Sequence, residues 1–170
     1  GIVSLLADPG VGGVGLFARN ARGPSEMAEL TSSLQEAARA AGVPVPLFVM
    51  ADQEGGIVMQ VTEGTTVFPG NMALGATGDP ATAYEAARII GLEALAMGLN
   101  AVAAPDVDVN VDADNPIIGV RAFGDDPALV GAFGEQAVRG FGVAGVFCTA
   151  KHFPGHGRTA VDSHLGMPTL

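Results

Sequence analysis

Four short apolar runs punctuate the chain: Val14 to Phe17, Leu47 to Ala51, Ala101 to Ala104 and Val146 to Ala150, each bounded by Gly or Pro. None alternates polar with apolar residues, which is the pattern of a parallel strand buried on both faces. The stretches between them carry helical spacing. Met27, Leu30, Leu34, Ala37 and Ala41 keep one face apolar, with Ser25 as the expected N-cap and Gly42 as the stop. Asp79-Pro80 and Asp126-Pro127 each set a capping side chain before a proline suited to a first helical turn. They predict one helix from Pro80 to about Met97, ended by Gly98, and another from Pro127 to about Gly140.

Strand–helix alternation implies a parallel sheet with right-handed crossovers. The strands end in residues able to do chemistry: Asp52-Gln53-Glu54, Pro105-Asp106 and Lys151-His152. Chemistry gathered at the C-terminal ends of parallel strands is the habit of a (β/α) barrel or a doubly wound sheet. No Gly-x-Gly-x-x-Gly stands between a strand and a helix, which disfavours a dinucleotide fold. A full (β/α)₈ barrel takes roughly 250 residues, and four strands are visible here. Spacing alone fits either a half-sized flavodoxin-like sheet or part of a barrel.

Composition narrows the partners. With 48% hydrophobic and 15% charged residues the chain sustains a core, and its 170 residues suggest one domain. Eight Lys+Arg against 18 Asp+Glu give a net charge of −10, which argues against a nucleic-acid binder and against a helix lying on anionic lipid. No apolar run reaches the roughly 18 residues of a membrane span. The segment after Gly1 lacks the pattern of a signal peptide. The single cysteine, Cys148, forms no internal disulfide, suits a reducing compartment and reads as an inert core residue.

The richest stretch is Lys151-His152-Phe153-Pro154-Gly155-His156-Gly157-Arg158, followed by Asp162-Ser163-His164, and it holds all three histidines. In an extended loop Asp162 and His164 point to one side. A carboxylate beside an imidazole fixes its tautomer, which suits a group that protonates a leaving group and later deprotonates water. The plainer reading is that Asp-Ser-His closes a turn. A metal site of His152, His156, His164 and Asp162 is a rival, although Pro154 and Gly155 keep His152 and His156 off one helical face. Asp52-Gln53-Glu54-Gly55-Gly56 is either a recognition element for vicinal hydroxyls or a solvated acidic turn. Arg121, a lone charge among Ile117 to Gly124, either pairs with an Asp or reaches a ligand oxygen.

These motifs together resemble the N-terminal catalytic domain of glycoside hydrolase family 3, most closely its bacterial β-N-acetylhexosaminidase (NagZ-like) branch. The matching stretches are Gly12 to Asn20, Asp52 to Gly56, Ile118 to Gly124, and Lys151 to Gly157 with Asp162-Ser163-His164. The resemblance implies an α/β fold forming part of a (β/α)8 TIM-type barrel, with about half of its strands within residues 1–170. It implies retaining hydrolysis of terminal β-linked N-acetylglucosamine from cell-wall-type saccharides, as in peptidoglycan recycling. By it, His164 is the general acid/base and Asp162 its partner, while Asp52, Arg121, Lys151 and His152 bind the sugar. The partner is a carbohydrate substrate, and no metal or organic cofactor is needed. Retaining chemistry also needs a nucleophile, and the family's nucleophilic Asp lies beyond the Asp-Ser-His element, outside this chain. The resemblance thus implies a catalytic barrel truncated at both ends, inactive alone and completed by the remaining half.

Two positions depart from the family pattern: Gln60 and Ile57 stand where Arg is usual. Loss of a bidentate cation leaves the sugar hydroxyls held at that point undefined. A glycoside phosphorylase or β-glucosidase of the same family stays open, since an imidazole does not repel an incoming phosphate as a carboxylate does. So does a non-catalytic sugar-binding module. A cytoplasmic location fits the lone cysteine, and secretion stays open because the family has secreted members.

Overall fold

Each apolar run becomes a strand because the residues that bound it break the chain direction. In a computed structural model, which describes residues 2–7 and 10–169, the elements are α1 (Ile2–Ala7), β1 (Gly13–Gly15), α2 (Pro24–Ala40) and β2 (Phe48–Ala51). There follow β3 (Gln53–Gly55), β4 (Val58–Met59), α3 (Asn71–Gly75), α4 (Ala81–Ala96) and β5 (Ala101–Val102). A 3-10 turn (Gly119–Arg121), α5 (Pro127–Ala144) and β6 (Phe147–Cys148) complete the chain. Gly1 and Leu170, the ends of the expected domain, lie outside the described residues.

The main sheet is parallel throughout, in the order β1-β2-β5-β6, with Gly13 beside Phe48, Met50 beside Ala101 and Ala101 beside Phe147. Every strand lies next to its predecessor in the sheet, so the winding never reverses. A doubly wound, flavodoxin-like sheet requires a reversal, whereas a barrel requires none. The strand order therefore selects part of a (β/α) barrel over the half-sized open sheet.

Helix boundaries differ from expectation at two ends. Gly23, not Ser25, is the N-cap of α2, because Pro24 has the fixed φ of a first helical residue and starts the helix earlier. Helix α5 continues past Gly140 to Ala144, since Phe141 and Ala144 still face the core, and it ends at Gly145 in the left-handed region at φ 87°. Asp79 and Asp126 act as expected, accepting from the N–H groups of Ala81 and Ala128 at 3.0 Å each. Helices α4 and α5 approach so closely that a Cβ on Gly140 would lie 2.3 Å from the Tyr84 carbonyl oxygen.

The sheet is covered on one face only, contrary to the two-sided burial expected. Val49, Ala51 and Val102 are buried in the core, while Phe48 and Phe147 are 52% and 66% exposed and meet edge to face at 5.3 Å. Among the described residues nothing packs over that face. The acidic stretch after β2 is likewise not a solvated turn. Gln53, Glu54 and Gly55 are buried in the β3–β4 hairpin, whose loop is tied by Gln53 accepting from Gln60 and Val61 and donating to the Val61 carbonyl. Among the described residues, no helix is long and apolar enough to cross a membrane.

Candidate active site

The C-terminal ends of β2, β5 and β6, the hairpin and the 3-10 turn bring one charged cluster together. Glu54 is its hub. Arg121 donates to Glu54 through Nε (3.0 Å to Oε2) and Nη2 (2.8 Å to Oε1), a bidentate pair buried on both sides. Lys151 Nζ also pairs with Glu54 and donates to Asp52 Oδ1 at 2.6 Å. Of the two readings of Arg121, pairing with an Asp or reaching a ligand oxygen, the first is met by Asp106, whose Oδ2 lies 3.5 Å from Nη2, and Glu54 is a nearer partner that the sequence does not single out for it.

His152 is fixed from both sides. Its Nδ1 lies 2.6 Å from Asp108 Oδ2, and its Nε2 lies 3.1 Å from Arg121 Nη2. Guanidinium only donates, so Nε2 accepts and the proton sits on Nδ1, bonded to Asp108. Asp108 also accepts the backbone N–H groups of His152 and His156, which clamps the Lys151–Gly157 loop to the end of β5.

Burial sets the proton affinities. It lifts the Asp106 carboxyl to about 6, the neighbouring Asp108 charge adding to the rise while the Asp108 N–H, Arg121 and His152 oppose it. Burial pushes Asp108 the same way, but its hydrogen bonds from His152 and His156 hold it below the usual carboxylate range. For Arg121 burial lowers the affinity, and Glu54 more than restores it, so the guanidinium stays charged. Burial also raises the Cys148 thiol, in keeping with an inert residue packed against the core.

The second feature is a pair by itself. His164 Nδ1 lies 2.7 Å from Asp162 Oδ1, which also accepts the His164 backbone N–H at 2.9 Å, and His164 is exposed. Those two hydrogen bonds hold the Asp162 carboxyl below the ordinary range. The four residues picked for sugar binding are thus brought together, while Asp162 and His164 are joined to each other and not bonded to that cluster. The rival metal set is not assembled: His156 is buried with its Nδ1 on the Thr159 hydroxyl, and among the described residues Asp106, Asp108 and His152 have the ligand spacing instead.

The chain from Ile2 to Leu170 matches the model of the glycosyl hydrolase family 3 N terminal domain. It belongs to that family. A β-hexosaminidase A of Pseudoalteromonas piscicida is 44% identical over 98% of this chain and 28% of its own length. The structure of a glycoside hydrolase family 3 β-N-acetylglucosaminidase from a Paenibacillus strain superposes with a TM-score of 0.95 and 49% identity, covering 99% of this chain and 32% of that one. NagZ from Neisseria gonorrhoeae, solved in complex with N-trifluoroacetyl-D-glucosamine, gives a TM-score of 0.86 at 30% identity, covering 98% of this chain and 49% of that one. This family 3 chain therefore spans between about a fifth and a half of the length of the relatives it matches.

Three members of the cluster are not among the site residues the sequence singles out. Glu54 and Asp106 stand in the strand-end stretches that it marks, but the burial of Glu54 within the β3–β4 hairpin has no sequence signal. Asp108 had one: Asp106-x-Asp108 after a strand places both side chains on one side. Gln60, standing where the family pattern has Arg, accepts the Ala18 N–H at 2.9 Å and so ties the loop after β1 to the hairpin.

Proposed function

We propose that this chain carries the sugar-binding and acid/base parts of a retaining β-N-acetylhexosaminidase, acting on terminal β-linked N-acetylglucosamine of cell-wall-type saccharides. The observation that carries the reading is the Asp162–His164 pair, in a chain whose relatives are named β-hexosaminidases. Asp162 holds the Nδ1 proton and leaves Nε2 as the edge that exchanges protons with substrate. In the first step a carboxylate nucleophile attacks the anomeric carbon as the imidazolium Nε2–H protonates the departing oxygen. In the second, neutral Nε2 takes a proton from water as that water releases the sugar from the glycosyl-enzyme.

Asp52, Lys151, His152 and Arg121 bind the sugar in this reading, and no cofactor takes part. Support comes from their convergence after β2 and β6 and on the 3-10 turn, with the Asp52 and His152 side chains 35% and 31% exposed. The nucleophile in this reading is the Asp that the family resemblance implies beyond the Asp162-Ser163-His164 element. A cytoplasmic location accompanies the reading, supported by the single cysteine.

The full-length protein should hydrolyse an aryl β-N-acetylglucosaminide without added phosphate, and His164→Ala should lower kcat by about 10²–10⁴. Turnover that requires phosphate would assign a phosphorylase instead, which a neutral imidazole base permits because it does not repel the anion. Sugar binding with no turnover of any such glycoside would leave a binding module.

A further inference from the structure

Asp106 is the one carboxylate of the cluster that the proposed reaction leaves without a task. It follows β5 and bridges to Lys151 in the extension of the sheet, so its backbone is fixed. Its side chain is fully buried. Oδ1 accepts the Asp108 N–H at 2.9 Å, while Oδ2 has no hydrogen-bond partner. A buried acceptor left unpaired costs free energy and calls for an explanation. Oδ2 lies 3.5 Å from Arg121 Nη2 and 3.7 Å from His152 Nδ1, just outside hydrogen-bond range of the two groups proposed to hold sugar.

Those two groups occupy each other, since Arg121 Nη2 donates to His152 Nε2. For His152 Nε2 to accept from a sugar hydroxyl, that Arg121 proton has to move. Asp106 Oδ2 is the nearby acceptor with capacity to take it. We propose that Asp106 is a positioning residue: on sugar binding its Oδ2 receives the Arg121 Nη2–H released from His152 Nε2, which leaves Nε2 free to accept from the ligand while the guanidinium stays anchored on Glu54. This rests on the sugar-binding role proposed above for Arg121 and His152.

The exchange needs a free lone pair on Asp106 Oδ2, and that atom has one. Asn71 of α3 donates to the Asp106 backbone carbonyl and the Asp108 N–H to Oδ1, so the carboxylate is held in place with Oδ2 turned toward Arg121.

The test is KM and kcat for an aryl β-N-acetylglucosaminide, with the Kd of N-acetylglucosamine, at pH 7.5 on the full-length protein, on Asp106→Ala and on Asp106→Asn. Asp106→Ala should raise KM and Kd roughly tenfold with kcat nearly unchanged, and Asp106→Asn, whose amide oxygen still accepts, should recover most of that loss. A residue that merely fills space would not separate KM from kcat in this way. An Asp106→Ala protein that matches the unsubstituted one in KM and Kd overturns the inference. So does a crystal structure of the full-length protein with N-acetylglucosamine in which Arg121 Nη2 still donates to His152 Nε2, even if neither variant folds. If the unsubstituted protein neither binds nor turns over the sugar, the proposed function fails first and this inference falls with it.

Discussion

At the scale of the residue, the site is an exercise in holding too many carboxylates together. Asp52, Glu54 and Asp106 converge on Arg121 and Lys151, with Asp108 beside them on His152, so the anions outnumber the fixed cations. Glu54 and Asp108 meet their cost with direct hydrogen bonds, and Asp106 meets its cost by binding a proton more readily. A carboxyl raised in the folded state favours folding below its unfolded value and loses that contribution as pH rises through its folded value. The window for Asp106 therefore runs from about 4 to about 6, and the loss across it is at most on the order of 3 kcal/mol. Asp106→Asn should lack this slope. Urea unfolding of the two proteins at pH 4.5 and 7 measures it, and an identical pH dependence would mean that Asp106 ionises as freely in the fold as in water.

At the scale of the element, glycines along α5 have opposite jobs that the helix sequence does not separate. Gly140 lies where α4 approaches, with the Tyr84 carbonyl 2.3 Å and the Ala87 Cβ 3.0 Å from where a Cβ would stand. Gly131 is exposed on the same helix with nothing within 4 Å. Alanine favours a helix interior by about 1 kcal/mol over glycine. Gly131→Ala should therefore stabilise by up to that amount, while Gly140→Ala should destabilise by about 1–3 kcal/mol because backbone cannot yield as a side chain does. Denaturant midpoints of both variants decide the matter, and two shifts of the same sign would show that α4 and α5 are not packed this tightly.

At the scale of the whole molecule, the parallel sheet presents Phe48 and Phe147 from one uncovered face. Exposed apolar surface of this kind marks an interface or an aggregation hazard, and an unclosed parallel sheet leaves edge strands unpaired. We propose that the remaining part of a barrel covers this face in the full-length protein. Residues 1–170 expressed alone should then bind a hydrophobic dye and self-associate, and replacing Phe48 and Phe147 by Ser should reduce both. A monodisperse fragment with cooperative unfolding and no dye binding would count against that arrangement.

By itself the sequence determined what depends on neighbours along the chain. The apolar runs defined the four parallel strands, Asp79-Pro80 and Asp126-Pro127 started two helices, and the clustered motifs defined the family and four side chains that do converge. The helix ends at Ser25 and Gly140 were misplaced because tertiary packing and a proline outweighed local capping signals. The tertiary structure bears out the barrel segment that the family resemblance implied and that spacing left open, because strand order is a matter of which strands pair and no local pattern records it. It alone made Glu54 the hub and left Asp106 Oδ2 without a partner. Burial and pairing across Glu54–Arg121, 67 positions apart in the chain, set those charges, and a linear pattern carries no distance of that kind.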